Sequence, residues 1–157
     1  MRLDRNIQPK TNDPYHKARK DSEGVYCPEC HALYRQGRWV WAREGGKLLE
    51  PRVCSACRRT RDRFPAGEVL VTGSYFKSHR GEIENLISNV VGEENGRSPL
   101  KRVIDFDSQE GALRVSLTDD HLARHIGDAL YKAYRGRLEV KRSGGDKFVR
   151  LYWHRYA

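Results

Sequence analysis

The sequence predicts an α+β protein in two parts, a small cysteine-bound module followed by a mixed domain. Three observations predict it. The only four cysteines fall in two close pairs, Cys27-x-x-Cys30 and Cys54-x-x-Cys57. After residue 67 the apolar periodicity alternates between strand-like and helix-like. Between the two stretches lies a short segment punctuated by Pro65 and Gly67. Residues 1–24 form a polar, basic arm with no apolar periodicity, residues 25–60 the cysteine module, 61–67 a linker and 68–157 the α+β domain.

Two Cys-x-x-Cys pairs read as one tetrahedral site for a structural zinc ion. The short spacing lets a tight turn present two sulfurs, and two such knuckles close all four positions. A closed site leaves no position for water, so the ion is expected to build structure rather than catalyse. The reading is therefore a zinc ribbon with Zn(2+) on Cys27, Cys30, Cys54 and Cys57. An iron–sulfur centre is the chemical competitor. Between the pairs, Trp39-Val40-Trp41-Ala42, then Glu44-Gly45-Gly46-Lys47, then Leu48-Leu49 predict strand, turn and strand. A module of this size buries too little apolar surface to fold unaided, which makes a metal the expected staple. His31, beside Cys30, is expected to stand outside the ligand set.

In the second part, residues 68–72 predict a strand ended by Gly73. Ser78 is the expected N-cap of a helix whose apolar face is Ile83, Leu86, Ile87, Val90 and Val91. Ser98-Pro99 ends it. Residues 103–106 and 113–117 flank a turn at 107–111 and predict a hairpin. Thr118 or Asp119 caps a second helix with Leu122, Ile126, Ala129, Leu130 and Ala133 on its apolar face, and Gly136 stops it. Residues 138–141, a turn at 144–146 and residues 148–153 close the chain with a second hairpin. The order β-α-β-β-α-β-β resembles a ferredoxin-like, or split βαβ, domain with an added strand, its helices on one face of a mainly antiparallel sheet.

Charge gives the first functional indication. The chain carries 30 Lys and Arg against 21 Asp and Glu, for a net +9. Residues 1–66 hold 15 basic against 8 acidic residues, net +7, and residues 67–157 hold 15 against 13, net +2. An excess confined to one half predicts a polyanionic partner, and nucleic acid is the common one. The candidate contacts are Arg35, Arg38, Arg43, Lys47, Arg52, Arg58, Arg59, Arg61 and Arg63. Tyr34, Trp39, Trp41 and Phe64 are interleaved with them, and aromatic rings of this kind stack on unpaired bases. The tryptophans have a competing role as the small core of the module.

Other chemistry is thin. His121 and His125 share a helix face, but Leu122 stands where a metalloprotease motif carries its glutamate base. They read, with Arg124, Lys132 and Arg135, as a polar face. His79, Glu82 and Glu84 sit at a helix start, where acids complement the dipole. Asp105 and Asp107 alternate along a strand and offer a metal only two carboxylates. No nucleophile elbow, Walker loop or dinucleotide fingerprint occurs. The expectation is a protein without catalytic residues and without a small-molecule substrate. The start of the chain has no apolar stretch and no run approaches the roughly 18 residues of a spanning helix, so the expected location is the cytoplasm, away from membrane. In a reducing compartment, paired cysteines favour metal over disulfides.

The cysteine pairs, followed by Arg61-Asp62-Arg63-x-Pro65-Ala66-Gly67-x-Val69-x-Val71-x-Gly73 and by His121-Leu122-Ala123-Arg124-x-Ile126-Gly127-x-Ala129-Leu130, carry a resemblance. Over roughly residues 25–155 the chain resembles an uncharacterised bacterial zinc-ribbon family, itself distantly similar to the ribosome large-subunit export and nonsense-mediated-decay adaptor of archaea and eukaryotes. That adaptor carries more cysteine pairs and longer downstream domains. The resemblance implies zinc knuckles, here Cys27, Cys30, Cys54 and Cys57, and association with the ribosome. The expected function is therefore a non-enzymatic RNA-binding protein that works on ribosomal RNA, with a ribosomal protein as a further contact, and modulates translation or ribosome state. The alternative is a zinc-stabilised protein–protein adaptor that binds no nucleic acid.

Overall fold

A computed structural model describes residues 24–41, 50–143 and 148–157. The arm at 1–23, the turn at 144–147 and the stretch 42–49, with Arg43, Lys47 and the expected strand at Leu48-Leu49, lie outside the described residues.

The cysteine module is a four-stranded sheet followed by a helix. Its strands are β1 (Val25–Tyr26), β2 (Leu33–Arg35), β3 (Arg38–Val40) and β4 (Glu50–Pro51), in the order β3-β2-β1-β4. The described hairpin is β2–β3, and the glycine-rich turn expected at 44–47 lies outside the described residues. Gln36 (φ 50°) and Gly37 (φ 82°) form a two-residue turn with both residues at positive φ, the geometry that matches the twist of paired strands. Helix α1 (Ser55–Asp62) follows, and Arg63 closes it in the left-handed conformation at φ 53°. The chain is thus helical through Asp62, and the passage to the next strand is shorter than the expected linker.

The second part contains β5 (Gly67–Thr72), α2 (Ser74–Ser78), α3 (Arg80–Arg97), β6 (Val103–Gln109), β7 (Ala112–Leu117), α4 (Asp120–Tyr134), β8 (Arg137–Arg142) and β9 (Val149–His154). Ser78 is not a cap. It ends α2, with its hydroxyl returned to the Ser74 carbonyl, and His79 begins α3. Asp119, not Thr118, caps α4 by accepting from the Leu122 N–H at 2.9 Å.

The strands form a mixed sheet in the order β6-β7-β5-β9-β8. β7 lies between β5 and β6, so the first β-α-β crossover is split by one strand. The second, from β7 through α4 to β8, is split by two, because β9 inserts beside β5 in parallel register. The core gathers Val69 and Val71 from β5, Leu113, Val115 and Leu117 from β7, and Val149, Leu151 and Trp153 from β9. Ile83 and Ile87 of α3 and Leu122, Ile126 and Leu130 of α4 complete it. Gly73 ends β5 at φ 107°, and a side chain there would run into the Arg155 backbone.

An ionic link ties α3 to α4. Glu94 accepts from Lys101 Nζ at 3.2 Å and faces His125 Nδ1 at 2.9 Å. Burial alone would raise the Glu94 pKa; Lys101 and His125 outweigh it and hold the carboxyl below its ordinary value. A carboxyl depressed by folding contributes its stability fully above its unfolded value and loses it as pH falls through the folded one. Glu94→Gln is expected to cost about 1 kcal/mol at neutral pH. In urea unfolding, that difference from the wild type should shrink as pH falls below 4.5. A difference that stays constant from pH 7 to pH 3 would contradict the assignment.

Candidate metal centre and arginine surface

The first cysteine pair sits on a tight turn between β1 and β2. Cys27 N–H donates to Ala32 O at 2.9 Å and His31 N–H to Cys27 O at 2.8 Å, which turns the chain so that both sulfurs face inward. His31 itself is exposed, at φ 69°, and stands outside the group of four sulfurs. The second pair corrects the expected second knuckle. Cys54 is the N-cap of α1 and Cys57 lies in its first turn, so the helix start itself presents these sulfurs. Cys57 N–H donates to Cys54 Sγ and Cys54 N–H to Cys27 Sγ, each at 3.4 Å. Backbone N–H groups at a helix start favour thiolate over thiol.

All four sulfurs lie within 4.8 Å of one another. Cys27 and Cys57 are 3.8 Å apart, as are Cys30 and Cys54. Disulfides need about 2.05 Å, and all four cysteines are free. A tetrahedron with metal–sulfur bonds of about 2.3 Å has edges of about 3.8 Å. The donor set therefore fits a tetrahedral thiolate-bound metal, and a structural zinc is compatible with it.

Taken as free thiols, the four are not equivalent. The hydrogen bond from Cys54, helped by the Ala32 backbone and Arg102, holds Cys30 down to about 4 against the opposing effect of burial. Burial pushes Cys57 up to about 11, with Arg102 pulling the other way. Cys54 is raised by its bond to Cys30 and by burial. A guanidinium from the second part reaches this cluster. Arg102 donates from Nη1 to Cys57 Sγ at 3.3 Å and from Nη2 to Cys54 Sγ at 3.1 Å. Burial works against its charge, but the hydrogen bond to Cys57 and the fields of three sulfurs raise its pKa on balance. Sequence reasoning missed Arg102, and no spacing rule would have found it 45 residues beyond Cys57.

The predicted arginines separate into distinct environments. Arg35 and Arg38 are exposed and lie directly opposite each other where the β2–β3 hairpin turns. Arg52 follows β4 and is exposed. Arg58 is half-buried on α1; Arg61 is exposed and pairs with Glu29 at 3.3 Å. Arg63 is exposed at the helix end. Arg59 differs from its neighbours in the run. It is buried, its Nη1 donates to Phe64 O at 2.9 Å and its guanidinium lies over the Phe64 ring, so it holds the end of α1. Arg43 and Lys47 fall outside the described residues.

Trp39 is half-buried against the cysteine cluster and meets Tyr34 edge-on at 5.3 Å. Trp41 remains exposed and donates from Nε1 to Asn95 O on α3 at 2.7 Å. His125 is committed to Glu94, and Asp107 to Arg114 at 3.4 Å. Asp105 and Asp107 belong to no group of three metal-ligating side chains among the described residues. No described helix is long and apolar enough to cross a membrane. Comparison of the chain with protein-family models, curated proteins and solved structures finds no match.

Proposed function

We propose that this chain is a non-enzymatic RNA-binding protein, acting on ribosomal RNA in the cytoplasm, in which one structural zinc ion on Cys27, Cys30, Cys54 and Cys57 organises the arginine-bearing surface of a zinc ribbon. In this reading the second part is an elaborated ferredoxin-like unit that anchors the ribbon and offers a less charged face to a ribosomal protein.

The observation that carries the reading is the Arg35–Arg38 pair. Like charges directly opposite on paired strands cost about 0.2–1 kcal/mol. Among the described residues neither arginine has a carboxylate partner. A phosphate chain running past the hairpin turns that repulsion into two charge-assisted contacts. The turn is stiff, because β2 pairs with both β3 and β1, and β1 leads into the first cysteine turn. Metal geometry thereby supports arginine geometry.

Each phosphate contact contributes about one unit to the slope of log affinity against log salt. Arg35→Glu with Arg38→Glu is expected to flatten that slope by about two units on a ribosomal RNA fragment, measured by fluorescence anisotropy. Co-sedimentation with ribosomal particles should fall in parallel. A slope and sedimentation equal to the wild type would remove the reading. Capture of the same partners after RNase treatment would favour the adaptor alternative.

A further inference from the structure

The segment joining α3 to β6 passes against the cysteine cluster. Leu100 packs on it, and Arg102 spans two of its sulfurs with the two arms of its guanidinium. The segment is fixed from the other side by Thr118, buried where β7 hands over to α4. Thr118 Oγ1 accepts from Arg102 N–H at 2.8 Å and donates to Leu100 O at 2.6 Å. Thr118 N–H returns to Arg102 O at 2.9 Å. Arg102 is therefore rooted in the sheet domain and ends on the ligands of the other module.

A divalent ion on four thiolates keeps two negative charges in excess. In a water-poor site that charge demands a counterion, and partners that hydrogen-bond to ligands tune affinity as well as orientation. Arg102 supplies both. Its Nε is buried without a hydrogen-bond partner, so the guanidinium is held there by what its other nitrogens meet. Its two sulfur acceptors are the pair on α1, the element that leads directly into β5.

We propose that Arg102 is the positioning residue through which metal occupancy locks the cysteine module on to the sheet domain. With metal bound, the thiolates hold the guanidinium and the arginine surface keeps one orientation against the sheet. When the metal leaves, nothing holds the four sulfurs in one group, the half-buried guanidinium loses its fixed acceptors and this contact opens. The inference rests on the metal reading of the cysteines and is independent of whether the partner is RNA.

The test uses the full chain as wild type, Arg102→Lys, which keeps the charge without the fork, and Arg102→Met. Zinc affinity is measured by competition with a chromogenic chelator. Cobalt(II) absorption reads the thiolates directly, and hydrogen exchange at residues 100–103 and 118 is followed with and without zinc. Affinity is expected to fall 10–100-fold in the variants. The sulfur-to-cobalt band should move to longer wavelength, a change that loss of packing alone would not produce. In the wild type, zinc removal should speed exchange at those residues, a readout that needs no variant. Arg102→Lys that binds zinc within twofold of the wild type, with an unmoved cobalt band, overturns the role of Arg102 while leaving the metal site standing. A wild type that binds no zinc overturns both.

Discussion

Removing the metal by chelation, or replacing Cys54 with Ala, is expected to unfold the cysteine module and leave the sheet domain folded. The asymmetry follows from what each part buries. Among the described residues, the sheet domain has fifteen buried apolar residues in one cluster, Trp153 and Phe76 included. The cluster at the cysteine site has four among the described residues, and three of those are Cys27, Cys54 and Cys57 themselves. Metal ligands make a poor core without an ion. Structural zinc supplies about 10–16 kcal/mol of apparent binding energy in comparably small units, as much as the roughly 5–15 kcal/mol by which whole domains are stable. Amide NMR signals from residues 24–41 and 50–62 should collapse on chelation, while those from β5 to β9 away from Thr118 persist. RNA affinity should be lost in the same titration. Retention of full ribosome binding by Cys54→Ala would separate the arginine surface from the metal.

The second large effect is expected at Trp153. It is fully buried in β9, its Nε1 donates to Arg135 O at 2.6 Å, and Tyr134 meets its ring at 6.5 Å. Trp153→Ala removes the largest core side chain and leaves the carbonyl that follows α4 without its donor. The cost is expected to be about 3–5 kcal/mol, which for a chain of this length lowers the melting temperature by roughly 10 °C. Trp153→Phe keeps most of the volume and should fall between. Differential scanning calorimetry on zinc-loaded protein checks both. A loss below about 1 kcal/mol for Trp153→Ala would mean the core can collapse around the gap, against the close packing of β9 on α4.

What the sequence discloses here divides along the range of the interactions. Cys-x-x-Cys spacing is local chemistry, so the ligand set is readable from the four positions. The helix at 80–97 and the one at 120–134 declare themselves because Ile83 and Ile87, or Leu122, Ile126 and Leu130, repeat at the helical period. The β2–β3 hairpin goes unread because Gly45-Gly46 is the louder turn signal, while Gln36-Gly37 is the turn that pairs Tyr34 with Trp39; the turn expected at 44–47 lies outside the described residues. The place of β9 is not local at all. Its insertion beside β5 is accompanied by cross-strand partners such as Arg150 and Glu68, whose side chains meet at 3.0 Å from 82 residues apart. Arg59 looks like one more cation in a basic run until its burial shows it capping a helix. Arg102 carries no signal in its own neighbourhood, because its meaning lies in sulfurs brought to it by the fold.

The most direct single measurement is zinc content by native mass spectrometry on reduced, purified protein, read beside the amide spectrum of the same sample. One zinc per chain, lost together with the dispersed signals of the cysteine module, is the expected result. A metal-free chain whose cysteine module is fully folded would contradict it.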